Sequence, residues 1–590
     1  LEVLKNLKIK TSLGLDYNEQ EQKTFNPVYA YDNYVNTISR LYQNNSNTLD
    51  WLWENTVGYK ATLFDNHNIS VLAGTSAQRS KKRFTDILKT SFPGNSSNLQ
   101  YLDNGTIVQS NDVKGNIEEW ALESYFGRID YNVQDKYLLS ANLRVDGSSR
   151  FGPSNRFGKF PSFAVGWNIN KENFLKNVGF IDNLKLRASW GQLGNQDIGL
   201  YSFASTLYPY YTTFGQIPAA APGYAPNSPP NPNVKWETTS QTDIGLELSV
   251  LQSRLTFEMD YYVKKTSDML LQLPSPLSAG YPLTSFTNAG GVKNSGFEFS
   301  TTYRKNSGEL KYSLSANFST YKNEITSLGP LNQPIINGLF FDFATNSTVG
   351  HPLYQFYGYQ MEGIFQNTTE IASHATQTGA RPGDVKFKDL DNNGVIDVND
   401  RTFLGSPFPK ITYGFNANIA YKGFDFYLQL QGTQGNKIFN AARFWGLNVG
   451  ETNNYNTDIL NSWNGEGTSN EYPRLTTQDP NNNKRAVSRF IEDGSYMRIK
   501  NVQLGYTLSD ELIKKIRLRS FRLYVGVNNL FTFTKYSGFD PEVGQALTAT
   551  NNASGLVPNG SSFSRGSLGF DQISYPQART ITFGLQLGIL

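Results

Sequence analysis

A chain that carries the stretch Ser495–Thr534, SYMRIKNVQLGYTLSDELIKKIRLRSFRLYVGVNNLFTFT, has few folds open to it. In its second half Phe521, Leu523, Val525, Val527, Phe531 and Phe533 take odd positions, while Arg522, Tyr524, Gly526, Asn528, Thr532 and Thr534 take even ones. A period of two marks a strand, because successive side chains leave a pleated backbone on opposite faces. The run is about fourteen residues, where strands of soluble sheets have about five or six. At about 3.3 Å per residue it stands well over 40 Å tall, enough to cross a tilted bilayer and rise above it. The first half repeats the pattern, with Val502, Leu504 and Tyr506 on one face and Asn501, Gln503 and Thr507 on the other. An apolar face backed by a polar one predicts lipid outside and a wet lumen inside, hence a transmembrane β-hairpin.

Composition agrees with that hairpin and removes most alternatives. Aromatics are 14% and glycines number 51 in 590 residues, yet hydrophobic residues reach only 38%. This balance suits an aromatic-girdled barrel with polar loops better than a large soluble core. No eighteen-residue apolar run is present, so no transmembrane helix is expected; a barrel hides its apolar residues at every second position. With no cysteine, disulfide frameworks, thiolate metal sites and cysteine catalysis are excluded. A net charge of +3, from 53 basic and 50 acidic residues, gives no electrostatic case for nucleic acid. The opening LEVLKNLKIK is no signal peptide.

Along the chain the same rhythm recurs. Strands are expected near Val3–Tyr17, Trp51–Phe64, Tyr137–Asp146, Phe160–Ile169, Leu184–Leu193 and the C-terminal Thr580–Leu590, among others. Polar stretches between Tyr17 and Trp51, and from Lys81 to Glu118, read as long loops. The segment Tyr208–Asn233 is rich in proline, which donates nothing to a ladder, and is expected to be loop as well. The longest insertion spans residues 327–410. Long and short connections alternate, as the outer loops and periplasmic turns of membrane barrels do. The expectation is an all-β fold, a transmembrane antiparallel β-barrel with about sixteen strands in this chain.

Three segments carry a resemblance. YMRIKNVQLGYTL with RLYVGVNNLFTFTKYSGFDPEV, the stretch Gly383–Gly432, and RVDGSSRFGPSNRFGKFPSFAVGWNI at Arg144–Ile169 are similar to SusC/RagA-type TonB-linked outer-membrane transporters. That resemblance implies a twenty-two-stranded barrel, of which this chain is the later part. It also implies a plug domain and TonB-contacting segment not found in these residues. A SusD-like surface lipoprotein would be the partner, oligosaccharides or peptides the cargo, and a Gram-negative outer membrane the location. A complete sixteen-stranded passive porin remains a self-consistent second reading, and an outer-membrane barrel enzyme a minor third. Catalysis has little support: His67, His351 and His374 are scattered, and no phosphate loop or nucleophile elbow appears.

Two groups of residues are candidate sites. Asp389, Asp391, Asn393, Val395, Asp397 and Asp400 stand at positions 1, 3, 5, 7, 9 and 12 of an EF-hand-like loop, with Gly394 at the sharp turn. Val395 would offer its backbone carbonyl, and the expected ion is calcium. Asp400 is shorter than the usual Glu, and the same spacing also suits an Asx-rich turn that caps itself. Tyr208, Tyr210, Tyr211 and Phe214 in one loop, with Phe444 and Trp445 in another, are candidates for stacking on a solute or partner. Trp51, Trp53, Trp120 and Trp167 are expected at the membrane interface.

Overall fold

Strands with one apolar face must share that face with their neighbours, and the ladder shows how they do. The computed structural model describes residues 2–589 apart from 5, 33, 65, 108–111, 177, 215–218, 227, 273–276, 282–284, 339–343, 450–453, 516–517 and 549–561. Eighteen described strands join in one antiparallel sheet, in which sequence neighbours pair. Two of them are short: Glu2–Leu4 folds back on Leu7–Asn26, and Lys322–Leu328 prolongs Leu310–Thr320 along the same partner. The remaining sixteen run from Leu7–Asn26 to Thr580–Ile589.

Register keeps the two faces apart over the whole width. Leu314, Ala417, Leu428, Val502, Val527 and Ile581 pair in turn across six strands, forming an apolar row. One residue along each strand, Ser315, Asn416, Gln429, Asn501, Asn528 and Thr580 pair in the same order, forming a polar row. A one-residue slip would turn every apolar side chain inward, so burial against lipid fixes the register. Phe583 and Leu585 are 81% and 53% exposed on the apolar side, as lipid-facing residues are in the absence of lipid. Phe583→Arg or Leu585→Arg should therefore cost about 2–4 kcal/mol near mid-membrane, and Thr582→Arg much less. Urea titration of the protein refolded into vesicles measures this; equal costs at the two faces would refute the assignment.

The strands are taller than their sequence suggests. Arg40–Leu63 and His67–Thr90 have 24 residues each and pair over their whole length. At about 3.3 Å per residue they reach some 80 Å. The expected loops at residues 18–50 and 81–118 are therefore largely strand: Leu7–Asn26 and Val113–Val133 continue into them. Above the bilayer both faces meet water, so period-two hydrophobicity fades while the backbone ladder persists. Cross-strand ion pairs occupy the outward side there, Glu119 with Arg79 at 2.7 Å and with Lys81 at 2.6 Å. Proline also misled: Leu207–Phe214 and Ala219–Pro226 form a hairpin in which Pro209 faces Tyr224. A two-stranded ribbon has a free edge on each strand, and a residue without N–H is tolerated there. Trp51 and Trp53 lie in the outward phase, but Trp120 falls in the inward one, beneath the Arg150 guanidinium.

Above the sheet the three longest connections fold together. Phe356, Ile364, Val385 and Phe387 from the 329–410 insertion pack with Phe439, Phe444 and Phe490 from the 435–495 connection and Phe570 from the 535–579 connection. Phe439 and Phe570 stack at 4.4 Å, and a short parallel pairing joins their strands. This cap is the largest fully buried core of the described residues.

Candidate functional site

Two surfaces offer chemistry: the inner face of the sheet and the cap over it. On the inner face the first strands carry self-paired charge. Arg187 alone reaches Asp243 at 3.6 Å, Glu247 at 3.2 Å, Glu258 at 2.9 Å and Asp260 at 2.8 Å. Arg144 holds Asp146 at 2.7 Å and donates to Ser124 at 2.8 Å. The later strands present the neutral amide and hydroxyl row described above. A groove of about 560 Å³ lies where the two regimes meet, between Glu258, Glu298, Asn317, Asn416, Gln429 and Gln431.

Where the sheet meets the cap stands Arg498, 2% exposed and on the inner phase of Tyr496–Thr507. It donates to Thr532 Oγ1 at 2.8 Å, to Asp540 Oδ1 at 2.6 Å and to Glu542 Oε2 at 2.6 Å. Lys500 adds a contact to Glu542 at 3.3 Å. The FDPEV segment is thereby tied to the wall by charge-assisted bonds in a dry setting, where they are strongest. Nothing in the sequence analysis named Arg498. Its signal was present, however: a cation at an inward position of a strand whose one other charge is Lys500.

The Asp389–Asp400 loop is built as a turn of Asx bonds. Asp391 Oδ1 accepts from Asn393 N–H, Asp389 Oδ2 from Gly394 N–H, and Asn393 Oδ1 from Val395 N–H, all within 3.1 Å. Gly394 adopts φ +80°, where a side chain would be strained, although a Cβ there would meet open space. The loop is held from both sides by Thr376, which bonds Gly394 O and Ile396 N–H, and Ile396 packs on the cap core. Asp400 is fully buried and accepts from Leu390 and Asp397 N–H. Carboxylate oxygens of Asp389, Asp391 and Asp400 lie within 4.8 Å of one another, and Asp389 Oδ1 is buried with no hydrogen-bond partner. Asp397 is outside this group, its oxygens accepting from Asn399.

The aromatic candidates divide. Tyr208, Tyr210, Tyr211 and Phe214 share the strand Leu207–Phe214, and their side chains lie outside the described residues. Phe444 is not a surface contact: it is 1% exposed, in edge contact with Phe490 at 5.1 Å. The short helix Ala441–Gly446, capped by Asn440, turns it inward, a tertiary choice that single-sequence polarity does not reveal. Trp445 beside it is half-buried against the same core.

The description "TonB dependent receptor-like, beta-barrel" matches residues 4–530. The chain belongs to this family. Among its relatives are TonB-dependent receptor P3 of Formosa agariphila, 34% identical over 99% of this chain and 57% of that protein, and TonB-dependent receptor SusC of Bacteroides thetaiotaomicron, 30% identical over 79% and 43%. The solved RagAB peptide transporter shares the fold, with a TM-score of 0.81 at 24% identity over 99% of this chain and 60% of that one. The SusC/RagA likeness read from the three segments thus stands, as does the all-β barrel fold. The relatives are receptors and transporters, not enzymes, and this barrel family is one of the outer membrane. The chain spans about half the length of the curated relatives it matches.

Proposed function

We propose that this TonB-dependent receptor barrel forms the wall and outer cap of an active importer of large nutrients, oligosaccharides or peptides, in a Gram-negative outer membrane. One observation carries the reading. Among the described residues no hydrogen bond joins Leu7–Asn26 to Thr580–Ile589, so the last strand keeps a free edge and the first keeps one beyond Lys8, where the fold-back of Glu2–Leu4 ends. Bilayer hydrocarbon does not tolerate an open sheet edge. A sixteen-stranded porin would close on itself, so the open wall speaks for a larger barrel of about twenty-two strands, whose lumen needs a plug. Import through a plugged barrel requires work, which TonB supplies in the family, and a SusD-like lipoprotein on the cap would capture the solute. The test is growth and uptake of labelled oligosaccharides and peptides by the native organism with and without TonB. Uptake should stop in both the TonB-deficient and the receptor-deleted strain; uptake that persists without TonB would return the porin reading.

The Asp389–Asp400 loop is proposed to take calcium. Three converging carboxylates and the partnerless Asp389 Oδ1 form the nucleus of an oxygen site, to which Asn393 and the Val395 carbonyl are the next candidates. Calcium would tighten the insertion against the cap core through Ile396. Terbium luminescence should appear on titration, be displaced by calcium, and vanish in Asp389→Asn/Asp391→Asn. An equal signal from that variant would leave the loop as a self-capping turn.

A further inference from the structure

Among the described residues, every strongly buried cation of the cap finds acceptors except one. Arg498 has Asp540 and Glu542, and Arg474 has Asp384 at 2.8 Å. Arg485 donates to the carbonyls of Asn481 and Asn482 and lies over the rings of Tyr359 and Phe387. Arg489, in the turn Ser488–Phe490, is 9% exposed, and its Nε, Nη1 and Nη2 are all buried with no hydrogen-bond partner. A guanidinium taken from water is expensive unless its donors are met, so such an arrangement is half of an ion pair.

No nearby acid hydrogen-bonds Arg489, although Glu471 attracts it electrostatically. Glu471 is engaged by Arg443, and Glu492 accepts from Asn440 Nδ2 at 2.9 Å and from Ser537 N–H and Oγ at 2.8 Å. Arg443 adds a second cation beside Arg489, its own Nε also buried without a partner. The ring of Phe490 lies 4.8 Å from the Arg489 guanidinium, and Tyr472 lies 5.8 Å from that of Arg443. Aromatic faces hold each guanidinium by its plane and leave its edges to donate. Burial, reinforced by Arg443, draws the Arg489 guanidinium down to about 10, so it remains a cation at neutral pH.

We propose that Arg489, with Arg443 beside it, is a binding site for a carboxylate carried by a solute that reaches the cap. The planar fork of a guanidinium matches a carboxylate in two parallel hydrogen bonds, a match that lysine does not offer. An acidic sugar and a peptide C-terminus carry the same group, and both are solutes the importer reading admits. The inference rests on that reading for the solute's origin but not for the binding itself.

The test uses the natural full-length receptor in detergent, without TonB, and follows its thermal unfolding in chloride buffer. Acetate, the bare carboxylate, should raise the midpoint saturably. Glucuronate and N-acetylglycine are the two arms that separate sugar acid from peptide terminus, with their methyl ester and amide as neutral controls. One acid should act at a concentration at least tenfold lower than acetate, and its neutral partner should not act. Arg489→Met, which keeps the stem and loses the donors, should abolish the shift. If that variant fails to fold, Arg489→Lys should weaken it at least tenfold. No shift with any acid, equal shifts with the neutral controls, or an undiminished shift in the variants would overturn the proposal. Because TonB takes no part, loss of the importer reading and loss of this site are separate results.

Discussion

Arg498→Ala should cost about 3–5 kcal/mol, the loss expected when one partner of a buried ion pair is removed. Asp540 is only 7% exposed, and without Arg498 its carboxylate would keep backbone donors from Glu542 and Gln577 but no cation. Glu542 would retain Lys500 and Gln431, so the damage falls on Asp540. Hydrogen exchange over 535–545 should rise by several hundred-fold or more, and the cap should melt before the wall. The double variant Arg498→Ala/Asp540→Ala should recover part of the loss, because it removes the stranded charge. Lys500→Ala is the control: its ammonium is partly exposed, and surface pairs contribute about 0–1 kcal/mol. Equal exchange in Arg498→Ala and Lys500→Ala would show that the tie to the FDPEV segment is not made through Arg498.

Phe444→Ala should cost about 3–5 kcal/mol by leaving a cavity in the cap. Its ring meets Phe490 at 5.1 Å and Phe439 at 6.1 Å, and these rings belong to a cluster drawn from all three connections. Collapse around the hole is hindered because each neighbour is fixed by its own connection. Trp445→Ala, at a half-buried position, should cost less. Tryptophan fluorescence of the cap during urea unfolding reads both; a larger effect at Trp445 would restore Phe444 as the surface residue and place Trp445 in the core.

The parts of this fold that water and lipid dictate were legible in the residues. Val525, Val527, Phe531 and Phe533 alternate with polar partners because hydrocarbon lies on one side, and that alternation survives into the register. Above the bilayer no such contrast exists, so Arg40–Trp51 and Lys81–Thr90 looked like loop although the ladder runs through them. Phe444 was misplaced for a related reason. A phenylalanine in a polar connection is buried here largely by distant residues such as Phe490, 46 positions away, and no local pattern carries that fact. Arg489 is the converse, since the lack of a partner is a property of the folded cap and not of any spacing. The Asp389–Asp400 spacing was legible as a turn with converging oxygens, but which carboxylates converge was settled only when Asp397 took Asn399 as its partner.

The joining of the cap limits how such receptors diversify. Met361 N–H bonds Ser488, Ile364 N–H bonds Asn470, and Asp384 holds both Arg474 and Asn483, so the insertion and the 435–495 connection are stitched at many points. Tyr536 and Asp571 close the third connection on itself at 2.6 Å, beneath the Phe439–Phe570 stack. Loops of most barrels are exchangeable parts, each free to drift on its own strands. Here a change of length in one connection would strain its bonds to the other two, so the three are expected to vary as a single cassette. A chimera built by transplanting one loop from a relative is expected to lose the cap, whereas one built by moving all three together is expected to keep it.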